Sequence, residues 1–142
     1  PTDVQYFKNE IAPLMNHPLI EFIGEITDSE KSTFLGNAQA RLFPIDWPEP
    51  FGLVMIESLA CGTPVVAYRG GSVAEVIEHG VTGFVVDDMA QAIDAVHRVH
   101  TLDRRACRDA FTRRFSAPRM ASADGRLYRQ ITSSAAGTGI VA

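Results

Sequence analysis

Asp46–Val86, DWPEPFGLVMIESLACGTPVVAYRGGSVAEVIEHGVTGFVV, alternates helical and extended patterns in a way that decides the fold class. Pro48 and Pro50 hold the chain extended, because the pyrrolidine ring fixes φ and removes a backbone donor. Phe51-Gly52 then open a helix in which Leu53, Ile56 and Leu59/Ala60 recur at helical spacing, and Gly62-Thr63-Pro64 ends it. PVVAY (Pro64–Tyr68) and GFVV (Gly83–Val86) read as short buried strands. Between them Ser72-Val73-Ala74-Glu75 has capping-box spacing, in which a hydroxyl and a carboxylate satisfy orphan amides at a helix start.

The same alternation extends outward in both directions. LIEFIG (Leu19–Gly24) and ARLFPI (Ala40–Ile45) are predicted strands, separated by a helix that starts at a second capping box, Thr27-Asp28-Ser29-Glu30. Asp88 is placed to cap a further helix through Ala90, Ile93, Val96 and Val99. Strands that are apolar on both faces and separated by helices imply a parallel sheet between helical layers. The predicted fold is α/β, a Rossmann-like doubly wound parallel sheet, whose ligands bind beyond the carboxyl ends of the strands. From about Asp103 to Ile131 the pattern is helical, and nine of the eleven arginines lie between Arg98 and Arg129. With acids interspersed and few aromatics, these read as solvated helix faces. The domain is expected over residues 1–131, with 132–142 a disordered, Ser/Gly/Ala-rich tail.

With 142 residues, 46% of them apolar, the chain has material for one domain with a core. Thirteen Lys and Arg against 17 Asp and Glu give a net charge of −4, which supplies no general drive toward nucleic acid or an anionic membrane. No apolar run approaches the roughly 20 residues of a membrane span. Two cysteines, Cys61 and Cys107, suit a reducing compartment and cannot make a four-thiolate zinc site. His97, His100 and Asp94 lack a further ligand nearby, so no metal site is expected. A Gly-x-Ser-x-Gly elbow and a Gly-Lys-Ser/Thr phosphate loop are both absent from the sequence.

The chemistry concentrates where the central helix begins. A helix that starts at the exit of a buried strand points unpaired amides and its positive dipole end into the ligand crevice, which suits a phosphate or diphosphate. Glu49 lies just before that helix, and Glu57 lies roughly 8 Å further along the axis at about 1.5 Å per residue. Such a separation suits two hydroxyl-binding carboxylates on one extended ligand, with anion-binding amides between them. Glu57 also stands among Met55, Ile56, Leu59 and Ala60, where an unpaired charge is costly.

These residues carry a resemblance. Glu49-Pro50-Phe51-Gly52, Glu57, Ala60 through Ala67 (ACGTPVVA), Gly70-Gly71, Glu75-Val76-Ile77 and Gly80-Val81-Thr82-Gly83 stand in the order found in family-4 retaining glycosyltransferases. The chain resembles the C-terminal, donor-binding half of their GT-B fold. The resemblance implies a nucleotide-diphosphate sugar as substrate, linked to UDP, GDP or ADP, with no cofactor and no metal. Glu49 would hold the transferred sugar's hydroxyls as the catalytic carboxylate, and Glu57 the ribose. Pro50, Phe51, Gly52 and Leu53 would face the sugar and diphosphate; Gly24, Glu25, Ile26 and Lys31 would lie near the base; Gly70 and Gly71 would form a second close-approach loop.

One departure accompanies the resemblance. Nothing before Leu19 matches the Arg and Lys that clamp the diphosphate in this family, and no acceptor-binding domain precedes the donor half. The expectation is therefore a fragment, inactive alone, whose acceptor and any peripheral membrane contact belong to the missing N-terminal half. Cytoplasmic residence is expected, because nucleotide sugars are made there. The rival readings are another GT-B enzyme, of sugar-nucleotide epimerase or phosphorylase type, and a non-catalytic flavodoxin-like module.

Overall fold

A computed structural model describes residues 2–136, and the chain divides into two units, Pro1–Lys31 and Ser32–Ala142. In the first unit, α1 (Thr2–Tyr6) runs into a π-helical turn, Phe7–Ile11. The predicted strand Leu19–Gly24 is absent: Leu19 lies in a turn that the Ile20 amide closes on the His17 carbonyl at 2.9 Å, residues 20–24 carry no ladder bonds, and Leu19 and Phe22 are largely exposed. A parallel strand exists only by pairing with neighbours, and among the described residues none pairs with this segment. The Thr27 capping box does form in its carboxylate half, since the Thr27 amide and hydroxyl both donate to Glu30 Oε2 (3.0 and 2.6 Å) as α2 (Asp28–Asn37) begins.

The second unit is built on a parallel sheet of three strands in the order β1 (Arg41–Phe43), β2 (Val65–Tyr68), β3 (Gly83–Val86). Arg41 stands opposite Val65, and Val65 opposite Gly83. Helices α3 (Leu53–Ala60), α4 (Val73–Val76), α5 (Met89–Arg98), α6 (Arg104–Arg114) and α7 (Ala117–Ala136) follow in order, with a 3-10 turn, Val99–Thr101, after α5. Side chains alternate across β2 with the two-residue period of a strand. Val65 and Ala67 join Phe43, Met55, Leu59, Val73, Val85 and Cys107 on one face, and Val66 joins Phe84, Val86, Ala95 and Val99 on the other. The first face is covered by α3 and α6, the second by α5. Parallel sheets bury both faces, and here the cover is incomplete over β1, where Leu42 is 59% exposed.

The arginine-rich region departs from the solvated-face reading. Arg104 donates to the carbonyls of Ala38 and Gly36, both at 2.7 Å, and to Thr63 Oγ1 at 3.1 Å, while Thr63 donates to the Leu35 carbonyl at 2.6 Å. Arg108 reaches the Ala60 carbonyl, and Arg114 the carbonyls of Glu75 and Val76 and the carboxylate of Glu78. These guanidiniums cap carbonyls that helix ends leave orphaned, so three of the nine tie α6 to its neighbours. Helix α7 continues through Ala136, into the segment expected to be a tail; residues 137–142 lie outside the described residues.

Candidate functional site

Adjacent parallel strands bring their carboxyl-terminal loops side by side. Here the loop after β1 carries Trp47, Glu49, Phe51 and Gly52, and the loop after β2 carries Gly70, Gly71 and Ser72. Helix α3 starts at Leu53, behind Gly52 in the left-handed region at φ 71°, so the helix opens at the crevice as the sequence predicts.

Glu49 folds back over this helix start. Its Oε1 accepts from the amides of Gly52 (3.0 Å) and Phe51 (3.4 Å), and its Oε2 accepts from the Trp47 indole (3.2 Å). The Gly52 amide, chiefly, holds the Glu49 carboxyl below its ordinary pKa, opposed by partial desolvation and assisted by the Phe51 amide and the indole. The Phe51 and Gly52 amides, expected to face a diphosphate, here donate to Glu49's own carboxylate. The Met55 and Ile56 amides return to the Gly52 carbonyl. Of the three amides expected to face the ligand, Leu53's remains without an acceptor among the described residues, as does the next, Val54's.

Glu57 is half-buried, between fully exposed solvent and the apolar interior of Met55, Ile56 and Leu59. Gly70 and Gly71 stand against the Glu49 loop. A Cβ on Gly71 would lie 2.1 Å from the Glu49 carbonyl oxygen, and one on Gly70 would lie 3.3 Å from that of Trp47. Gly24, Glu25, Ile26 and Lys31 belong to the first unit; Gly24 has φ 68°, Glu25 is exposed, and Lys31 makes an ion pair with Asp28 at 3.0 Å.

Several neighbours behave otherwise than their motifs predict. Ser72 does not form a capping box: its hydroxyl makes no cap bond, and its Oγ is buried without a partner. Asp88 does cap α5, accepting from the Gln91 amide at 2.8 Å, and Asp87 pairs with Arg69 at 2.7 Å. Asp94 pairs with Arg98, and no group of metal-ligating side chains occurs among the described residues. Cys107 is fully buried, and desolvation pushes its thiol up to about 11, whereas Cys61 is half-buried at the end of α3. Sequence reasoning missed Trp47, whose only signal was being the single tryptophan, two residues before Glu49.

Residues 1–108 match the family described as glycosyl transferases group 1. The chain belongs to that family. Among its relatives, the phosphatidyl-myo-inositol mannosyltransferase of Mycobacterium leprae is 29% identical over 139 residues, which is 93% of this chain and 37% of the relative. The D-inositol 3-phosphate glycosyltransferase of Pseudarthrobacter chlorophenolicus is 40% identical over 77 residues, 51% of this chain and 18% of the relative. The sucrose-phosphate synthase structure from Thermosynechococcus elongatus superposes with a TM-score of 0.73 at 26% identity, over 94% of this chain and 35% of that one. The HepE protein of Anabaena, solved in complex with UDP-glucose, matches in fold, with a TM-score of 0.67 at 22% identity over 92% of this chain and 36% of HepE. This group 1 chain thus spans about a third or less of the length of the relatives compared. Its α/β sheet is the GT-B arrangement of its structural neighbours.

Proposed function

We propose that the chain is the donor-binding part of a retaining, metal-independent glycosyltransferase that moves a sugar from a nucleotide diphosphate to an acceptor hydroxyl. One observation carries this reading: a half-buried carboxylate, already oriented by three donors, stands over a helix start with two open amides. A carboxylate offers about four lone-pair positions, and Glu49 has filled three. The remaining position on Oε2 accepts a sugar hydroxyl without reorganisation, because the two loop amides and the indole already fix the side chain. Beside it, the Leu53 and Val54 amides and the positive end of α3 favour a phosphate.

In this reading Glu57 receives the ribose hydroxyls. The acceptor-binding domain and the basic clamp on the diphosphate lie in the rest of the polypeptide, so this chain binds donor and does not turn it over. The bond from the sugar's anomeric carbon to the diphosphate oxygen breaks, the acceptor oxygen bonds to that carbon on the face the diphosphate leaves, the departing diphosphate takes the acceptor proton, and Glu49 positions the sugar without attacking it. No helix among the described residues is long and apolar enough to cross a membrane; cytoplasmic residence and any membrane contact through the missing half belong to this proposal.

Calorimetric titration of the chain with UDP, GDP and ADP, each alone and sugar-linked, tests the reading. Saturable binding of one base class, weakened by Glu57→Ala, is expected; wild-type affinity in the Glu57→Ala chain, or no binding of any nucleotide, contradicts it.

A further inference from the structure

The loop after β2 was expected to approach the ligand, yet its contacts are with Glu49. Gly71 has φ 46°, and a Cβ there would stand 2.1, 2.6 and 2.8 Å from the Glu49 carbonyl oxygen, amide nitrogen and carbonyl carbon. Those are backbone atoms of a segment held on both sides, so the overlap is not relieved by a side-chain rotation. The Ser72 amide donates to the same Glu49 carbonyl at 2.8 Å. The Ser72 hydroxyl is turned from its own helix toward the Gly52 turn, 3.3 Å from where a Gly52 Cβ would be. The loop therefore touches Glu49 from behind, while the amides of Phe51 and Gly52 and the Trp47 indole hold its carboxylate from in front.

We propose that Gly70-Gly71-Ser72 is a positioning element for Glu49, acting on sugar recognition through the backbone of Glu49 instead of through contact with the donor. This rests on the proposed function for its chemical consequence, and on geometry alone for the placement of Glu49. Fixing a recognition group from a second, rigid loop is what a preorganised site requires, since a displacement of about 1 Å costs on the order of 100-fold in rate. Gly71 is the position where the approach is closest, because only a residue without Cβ leaves room for the Glu49 peptide.

Trp47 makes the placement measurable without turnover, because it is the single tryptophan and bonds to Glu49 Oε2. Emission spectra and acrylamide quenching are compared for the wild-type chain, Gly71→Ala, Glu49→Ala and Gly80→Ala. Gly80 shares the left-handed backbone at φ 77° but has nothing within 4 Å of its missing Cβ, so it controls for strain alone. The expected result is that Gly71→Ala reproduces the Trp47 signature of Glu49→Ala, and Gly80→Ala that of the wild type. Gly70→Ala serves if Gly71→Ala does not fold: its Cβ meets the Trp47 carbonyl at 3.3 Å and should shift the signature part-way.

A wild-type Trp47 signature in folded Gly71→Ala or in Gly70→Ala overturns the positioning role. Binding then tests the consequence, with whichever of UDP, GDP and ADP the wild-type chain binds: the ratio of sugar-linked to sugar-free nucleotide affinity should fall about ten-fold or more in Gly71→Ala, as expected for losing one charge-assisted hydrogen bond, while the sugar-free affinity stays within about two-fold. An unchanged ratio with a displaced Trp47 overturns the link to sugar recognition. Failure of the wild-type chain to bind any nucleotide defeats the proposed function and that link, while the fluorescence comparison still decides the placement.

Discussion

Replacing Gly52 by Ala perturbs the helix start in a way whose size can be worked from the structure. Gly52 sits at φ 71°, where an L-residue costs roughly 1–2 kcal/mol. The added Cβ would lie 2.1 Å from Met55 Cε and 3.3 Å from Ser72 Oγ. Met55 is fully buried among Phe43, Leu59 and Val73 and has no solvent to retreat into, so forcing it to repack adds about 1–3 kcal/mol. The sum is about 2–5 kcal/mol, a large share of the 5–15 kcal/mol typical of a domain. Urea unfolding followed by Trp47 emission and far-ultraviolet circular dichroism should show the midpoint falling by about 1–2 M at unchanged slope. In a Met55→Ala background the clash is gone, and the cost of Gly52→Ala should drop to the backbone term alone, a non-additivity expected only of touching residues. A midpoint shift below about 0.3 M, or additive behaviour of the pair, would refute the packing described.

Other expectations follow from the same contacts. Thr63→Val keeps the shape of a fully buried side chain but leaves the Leu35 carbonyl with the Ala38 amide as its remaining donor and strips Arg104 of an acceptor; chemical unfolding should register a loss of about 1–3 kcal/mol, and an effect under about 0.5 kcal/mol would show that the bond is dispensable. The Glu49 carboxyl is held below its ordinary value, so its bonds to Trp47 and Gly52 stabilise the loop above the unfolded-state pKa, about 4.3. They are lost as pH falls through the lower folded value. An acid titration of Trp47 emission should therefore turn over below about pH 4.3 and lose that transition in Glu49→Gln; a transition at or above the ordinary value would contradict the capping geometry. With its thiol pushed up to about 11 and its side chain buried, Cys107 should resist a disulfide reagent at pH 8 in the folded chain while the half-buried Cys61 reacts; equal rates would mean that α6 does not seal the core.

The parts of the fold that were legible in the sequence are those where local pattern and tertiary partner agree. GFVV and VVAY are apolar on both faces and find a parallel neighbour and packed side chains on both faces of the sheet, so the periodicity argument carries straight to β2 and β3. LIEFIG has the same local pattern, but a strand is a pairing and not a composition, and without a neighbour its apolar residues stay exposed. Arginine placement misled for a related reason: Arg104 and Arg114 lie amid charges along the helix, and only the fold reveals that their guanidiniums meet carbonyls far away in sequence. At the site, the spacing of Glu49, Gly52 and Glu57 was readable. The direction in which the Glu49 side chain folds was not, since the indole and the loop amides compete with any ligand for it. The role of Gly71 was equally hidden, because a glycine records that something comes close without saying what.

The central claim is that the start of α3, with Glu49 over it, receives the phosphates of a nucleotide sugar. The most direct test is a titration of the isotope-labelled chain with UDP-glucose, GDP-mannose and ADP-glucose, following every backbone amide by NMR. The account predicts that one of them moves the Leu53 and Val54 amides most, together with the Trp47 indole as the sugar engages Glu49. Saturable shifts that leave Leu53, Val54 and Trp47 unmoved, or no shifts with any donor, would contradict it.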